Sequence, residues 1–92
     1  MAKGYDHSIM TDDLDTCYIC GRDRTQFHHV FGASNRNHAT EDGLFIPVCA
    51  ECHRKIHDIA LLNLALKKEG QRCYEKTHSR EEFMKRYGKN YI

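Results

Sequence analysis

Cysteine and histidine are the side chains of this sequence whose spacing could do chemistry. Cys17-Tyr18-Ile19-Cys20 and Cys49-Ala50-Glu51-Cys52 form two C-x-x-C knuckles with 28 residues between them. Two thiolates spaced in this way grip one edge of a tetrahedral ion, and a second pair closes a structural zinc site. The fifth cysteine, Cys73, leaves an odd thiol, which argues against a disulfide framework. It reads as an apolar filler on a helix. Among the seven histidines, His28 and His29 are adjacent, and His53 and His57 stand four apart directly after the second knuckle. On a helix that spacing projects both imidazoles from one face, which suits a shared metal ion. Arg54 follows His53, so the H-E-x-x-H pattern of metalloproteases is excluded. The alternative is a scatter of solvated histidines, but four of them flanking two knuckles favour a second metal group.

These residues need elements to position them. The chain has 92 residues, 40% hydrophobic and 29% charged, enough for one small domain and neither a disordered nor a membrane composition. A core this small commonly needs a metal staple. The opening Met1 to Asp6 has no apolar signal-like stretch, and with the odd cysteine this leads us to expect a reducing, cytoplasmic setting. Residues 1–16 read as an acidic, irregular lead-in. Phe27 to Phe31 reads as a strand, Gly32 to Gly43 as a loop rich in Gly, Ser and Asn, and Leu44 to Val48 as a second strand that Pro47 confines to an edge or a strand end. A helix is expected from about Glu51 to Leu66, ended or bent near Gly70, with further helix over Gln71 to Lys76. The apolar run from Ile59 to Leu66 is expected to pack on the strands and C-terminal helices, a dimer seam being the alternative. Ser79-Arg80-Glu81-Glu82 is a capping-box pattern for a last helix, with Gly88 as its stop.

The order of knuckle, histidine strand, loop, strand, knuckle and His-x3-His helix resembles the HNH endonucleases. The resemblance rests on Cys17-x-x-Cys20, on His28-His29-Val30-Phe31, and on Ile46-Pro47-Val48-Cys49-x-x-Cys52-His53-x3-His57, and it covers residues 17–58. The tail from Phe83 to Tyr91 is similar to the ends of small HNH-like proteins of phages and prophages. The resemblance implies a ββα-metal fold that cuts DNA by metal-dependent hydrolysis, in the host cytoplasm if phage-encoded. It implies His29 as the general base, and His28, His53 and His57 as ligands of a catalytic divalent ion (Mg2+, Mn2+, Ni2+ or Zn2+). Cys17, Cys20, Cys49 and Cys52 would hold a remote structural Zn2+.

Two departures bear on these roles. The family's Asn before the second knuckle is absent from Glu41-Asp42-Gly43-Leu44-Phe45-Ile46, so Asn35 is the first choice to fill it, with Asn37 the alternative. Neighbouring residues of a strand also point to opposite faces, so His28 and His29 do not both aim at one ion unless the strand bends, and their roles could be exchanged.

The expectation is therefore an α+β domain: lead-in 1–16, zinc-binding ββα core 17–66, and a basic helical segment 67–92. That last segment carries eight basic and four acidic side chains, within a chain whose formal net charge is +1. It permits a polyanionic partner or a solvated face. Arg36, Arg54 and Lys55 are the candidate DNA contacts, no membrane partner is expected, and the oligomeric state is open. The alternative reading is a non-catalytic zinc-ribbon module that binds nucleic acid or a protein.

Overall fold

The computed structural model describes residues 7–92, so the first six residues of the expected lead-in lie outside it. The fold is α+β, as expected. Strand β1 (Gln26–His29) pairs antiparallel with β2 (Phe45–Val48), placing His28 opposite Ile46 and His29 opposite Phe45. A sheet of two strands has only edges, which is how Pro47 is accommodated. The free side of β2 is not left bare. Its Pro47 carbonyl accepts from the Tyr18 N–H group.

The segment expected as a loop between the strands contains a 3-10 turn, Ala33–Asn35, and helix α1 (Arg36–Asp42). The expectation failed because Asn37 and His38 are weak helix formers that continue the preceding polar run. Fully buried Ala39 holds the helix against the core, and Gly43, at φ 75°, ends it by donating to the Ala39 and Thr40 carbonyls. Gly43 is also where the lead-in docks. Ile9 N–H donates to its carbonyl, and the buried Ser8 hydroxyl donates to the Gly43 and Phe45 carbonyls.

The expected single helix from Glu51 to Leu66 is two helices. α2 (Ala50–Asp58) ends at Ile59, whose backbone is extended, and α3 (Ala60–Tyr74) begins there. No Gly or Pro marks the break. Packing requires it: α2 must lay Cys52 and Ile56 on the core, while α3 must bring Leu66, Gly70 and Tyr74 to a different part of it. The price of the turn is that the first half of α3 overhangs solvent. Ile59 is 47%, Leu61 78% and Leu64 38% exposed, contrary to the packed stretch expected, and only Leu62 and Leu66 of this run's leucines reach the core.

Helix α4 (Arg80–Tyr87) has the capping box as expected, with Ser79 and Glu82 bonded reciprocally, and stops at Gly88 with φ 82°. It completes an aromatic cluster centred on Phe31, which lies 5.3 Å from Phe83, 4.8 Å from Tyr87 and 5.4 Å from Tyr91 between ring centres. The basic segment is thus largely a packing element. Its Arg86 is paired with Asp42 and Glu41, and its Arg80 with Glu75.

Gly70 neither ends nor bends α3. A Cβ there would sit 3.1 Å from Phe31 Cε2 and 3.2 Å from Val30 Cγ1, both on fully buried side chains. Overpacking a locked core costs about 1–3 kcal/mol, against about 1 kcal/mol gained in helix propensity. Gly70→Ala should therefore lower unfolding free energy by about 1 kcal/mol in denaturant melts, although the same change on an exposed helix face stabilises.

Candidate metal centres and the cavities beside them

The first knuckle is a tight turn between Thr16 and Asp23, which bridge each other, and Gly21 takes φ 84° inside it. The second knuckle straddles the β2–α2 junction. Cys49 is the N-cap of α2, and its sulfur accepts from the Cys52 N–H. These two turns bring the Sγ atoms of Cys17, Cys20, Cys49 and Cys52 within 4.8 Å of one another. The Cys20–Cys49 separation is 3.6 Å. A tetrahedron with metal–sulfur bonds of about 2.3 Å has an edge of about 3.8 Å, so the spacing is that of ligands around one ion. The thiols do not ionise alike by themselves. Burial opposes ionisation at Cys17, but the backbone N–H groups around it win and bring it down to about 6. Cys52 is pushed up to about 12 by burial and by its sulfur neighbours. A divalent cation removes that conflict by favouring the thiolate at every position.

The histidines form a second group. β1 presents His28, and α2 presents His53 and His57 one turn apart, so that one nitrogen from each lies within 4.8 Å of the others. His53 Nε2 and His57 Nε2 are 3.3 Å apart, the edge of a tetrahedron with metal–nitrogen bonds of about 2.0–2.1 Å. His28 Nε2 is buried and has no hydrogen-bond partner, which costs free energy unless something binds it. Burial first, then the charges of His53 and His57, lower the His28 pKa to about 4. The ring is therefore neutral near pH 7, the form a metal needs. Three imidazole nitrogens at this spacing could together hold one divalent ion.

His29, next in the strand, is not part of this group. It is half-buried, and burial, Arg36 and His53 all lower its pKa. His28, His29 and His57 line two adjoining cavities of about 390 and 300 Å³. The larger adds Asn35, Asn63, Lys67 and Tyr91, and the smaller adds Arg36 and His53. Asn35 lies on the cavity wall, its side-chain amide donating to the Tyr87 carbonyl at 3.1 Å. Ala33, shared by both cavities, holds φ 52°, an uncommon conformation for a residue with a Cβ. Arg54 and Lys55 line neither cavity. Both are exposed on α2, and Lys55 pairs with Glu51 at 3.7 Å.

Sequence reasoning missed Asn63, Lys67 and Tyr91. The available signal was Asn63 interrupting an apolar run with Lys67 four residues on, which places both on one face of α3. Tyr91 is placed by buried Gln71, whose carboxamide accepts from Tyr91 N–H and donates to Asn90 Oδ1, both at 2.8 Å. No helix of the described residues is long and apolar enough to cross a membrane. No protein-family model, no curated protein and no solved structure matches the chain.

Binding free energies of structural zinc run to about 10–16 kcal/mol, as large as a domain's whole net stability of about 5–15 kcal/mol. Cys17→Ser and Cys52→Ser should therefore unfold the chain, whereas Cys73→Ala should leave it folded. Circular dichroism, with elemental analysis giving one tightly held ion per chain, checks this. Protein purified without chelators and containing no metal contradicts it.

Proposed function

We propose that this chain is a metal-dependent endonuclease of the HNH type that hydrolyses DNA phosphodiester bonds. In this reading it has a ββα-metal core, a structural zinc on the four cysteines and a catalytic divalent ion on His28, His53 and His57. One observation carries the reading: the three histidine nitrogens gather beside a fourth histidine, His29, in a recess that no carboxylate of the described residues lines.

A divalent ion held there would neutralise charge on the phosphate and on the departing oxygen. The remaining work falls to the chain. His29 takes the proton from a water molecule as that water's oxygen bonds to phosphorus and the ester P–O bond breaks; the departing oxygen takes a proton from solvent, leaving one phosphate end and one hydroxyl end. The environment of His29 favours the neutral form it needs for that role. Its absence from the group formed by His28 and the helical histidines supports the division into ligand and proton acceptor. Arg36 faces the smaller cavity, where it can hold a phosphate oxygen. The cysteine group takes no part in the chemistry and keeps α2 in position.

Cleavage of plasmid and branched DNA across Mg2+, Mn2+, Ni2+ and Zn2+ tests the reading. His29→Ala should bind DNA and metal normally yet lose roughly 10²–10⁴-fold in rate. His53→Ala should lose cleavage and metal affinity together, with activity partly restored at high metal concentration. If wild-type protein cuts nothing with any ion, the non-catalytic binding module takes the place of this reading.

The pH profile gives a second test. His29 must be deprotonated to accept a proton, so the rate at saturating metal should rise with pH through its pKa. Because that pKa lies below the ordinary 6.5, the acid limb should have its midpoint below 6.5. A midpoint above 7 would assign the proton transfer to another group.

A further inference from the structure

Both cavities beside the histidines are lined without a single carboxylate of the described residues, in a chain with 13 acidic side chains. Each is lined by one permanent cation: Lys67 from α3 in the larger, Arg36 from α1 in the smaller. Elsewhere among the described residues, five cations are neutralised. Arg22, Lys55, Arg72, Arg80 and Arg86 all sit on carboxylates. Lys67 and Arg36 make no ion pair among the described residues. Lys67 instead lies half-buried over the Tyr91 ring, 5.4 Å from its centre. Asn63, one turn before it, lines the same cavity, and its carboxamide has no hydrogen bond among the described residues. An unpaired lysine one turn from an unused amide donor is a site for an anionic oxygen.

We propose that Lys67 and Asn63 form a phosphate subsite on α3, outside the ββα core, and that a nucleic-acid strand crosses the histidines from Arg36 on one side to Lys67 on the other. The two cavities share His28, His29 and His57, so a backbone held at both ends would lay an intervening phosphate over those rings. The subsite deepens the nuclease reading and rests on it for its substrate class, but it makes a claim about binding alone.

The test is binding of a short fluorescent single-stranded DNA oligonucleotide, followed by anisotropy over a range of salt without added divalent metal, on variants whose thermal melts match wild type. One lost phosphate contact makes the slope of log K against log salt shallower by about 0.7. Lys67→Met and Arg36→Met should each do this, the double variant should lose about twice as much, and Lys67→Arg should retain most of the slope. Lys76→Met, exposed and outside both cavities, should leave it unchanged. A Lys67→Met slope equal to wild type overturns the subsite even where plasmid is still cut, and so does wild-type protein that fails to bind the oligonucleotide. A slope that depends on Lys67 in a protein that cuts nothing supports the subsite while the enzymatic reading fails.

Discussion

Four sulfur atoms held within 4.8 Å of one another set the terms for the rest of this molecule. Thiols brought that close cannot all ionise unless a cation sits among them, and a metal that binds all four ties together segments nearly thirty residues apart. One is the turn that leads into β1. The other is the point where β2 becomes α2. Because Cys49 caps α2 and Cys52 lies in its first turn, fixing the sulfurs fixes the direction in which that helix leaves the sheet. His53 is the next residue, and His57 follows one turn later. Their height over His28, with ring centres 5.2 and 5.7 Å away, is inherited from the cysteine geometry.

The other end of the site is anchored by aromatic packing. Val30 and Phe31 follow directly on the two strand histidines and are buried to 1% and 2% exposure. Phe31 then receives Phe83, Tyr87 and Tyr91, while α3 comes close enough that a Cβ at position 70 would press on Phe31 and Val30. Each large aromatic buries about 150–250 Å², so in a chain of this size the cluster is a major share of the core. The C-terminal helices therefore form a wall of the site. Through the bond from Asn35 to the Tyr87 carbonyl, they also hold the turn that follows the histidine strand.

What could be read from the sequence divides along the same physical line. Interactions set by a few neighbouring residues were legible: both knuckles, the i, i+4 histidines, the capping box at Ser79, and the strands to within a residue or two. What depends on tertiary contact was not. The break at Ile59 has no local signal, because it comes from two helix segments needing different faces of one core. The helix after Asn35 was concealed by residues that favour turns and was stabilised by burial of Ala39, which no short window can see. Those two misreadings hid the far wall of the site. With α2 and α3 taken as one helix, Asn63 and Lys67 point along an apolar stretch; with the break in place, they face the histidines.

Charge follows an equally nonlocal logic. The net +1 of the chain describes neither surface. The acidic groups meet cations where elements are clamped together. Asp42 on α1 takes Arg86 and the Tyr87 hydroxyl from α4, each at 2.6 Å, and burial of Tyr87, then its hydrogen bond to the charged Asp42, keep that phenol protonated well beyond its ordinary range. Glu51 at the start of α2 takes Arg22 from the first knuckle at 2.8 Å. An exposed pair such as Arg22–Glu51 adds at most about 1 kcal/mol, so its weight in stability is small. The placement of these pairs matters more, because a carboxylate committed to α4 or to the knuckle is one kept away from the histidines. Two permanent cations and no lining carboxylate of the described residues leave a recess whose field attracts anions. Near-neutrality overall keeps that attraction confined to the recess.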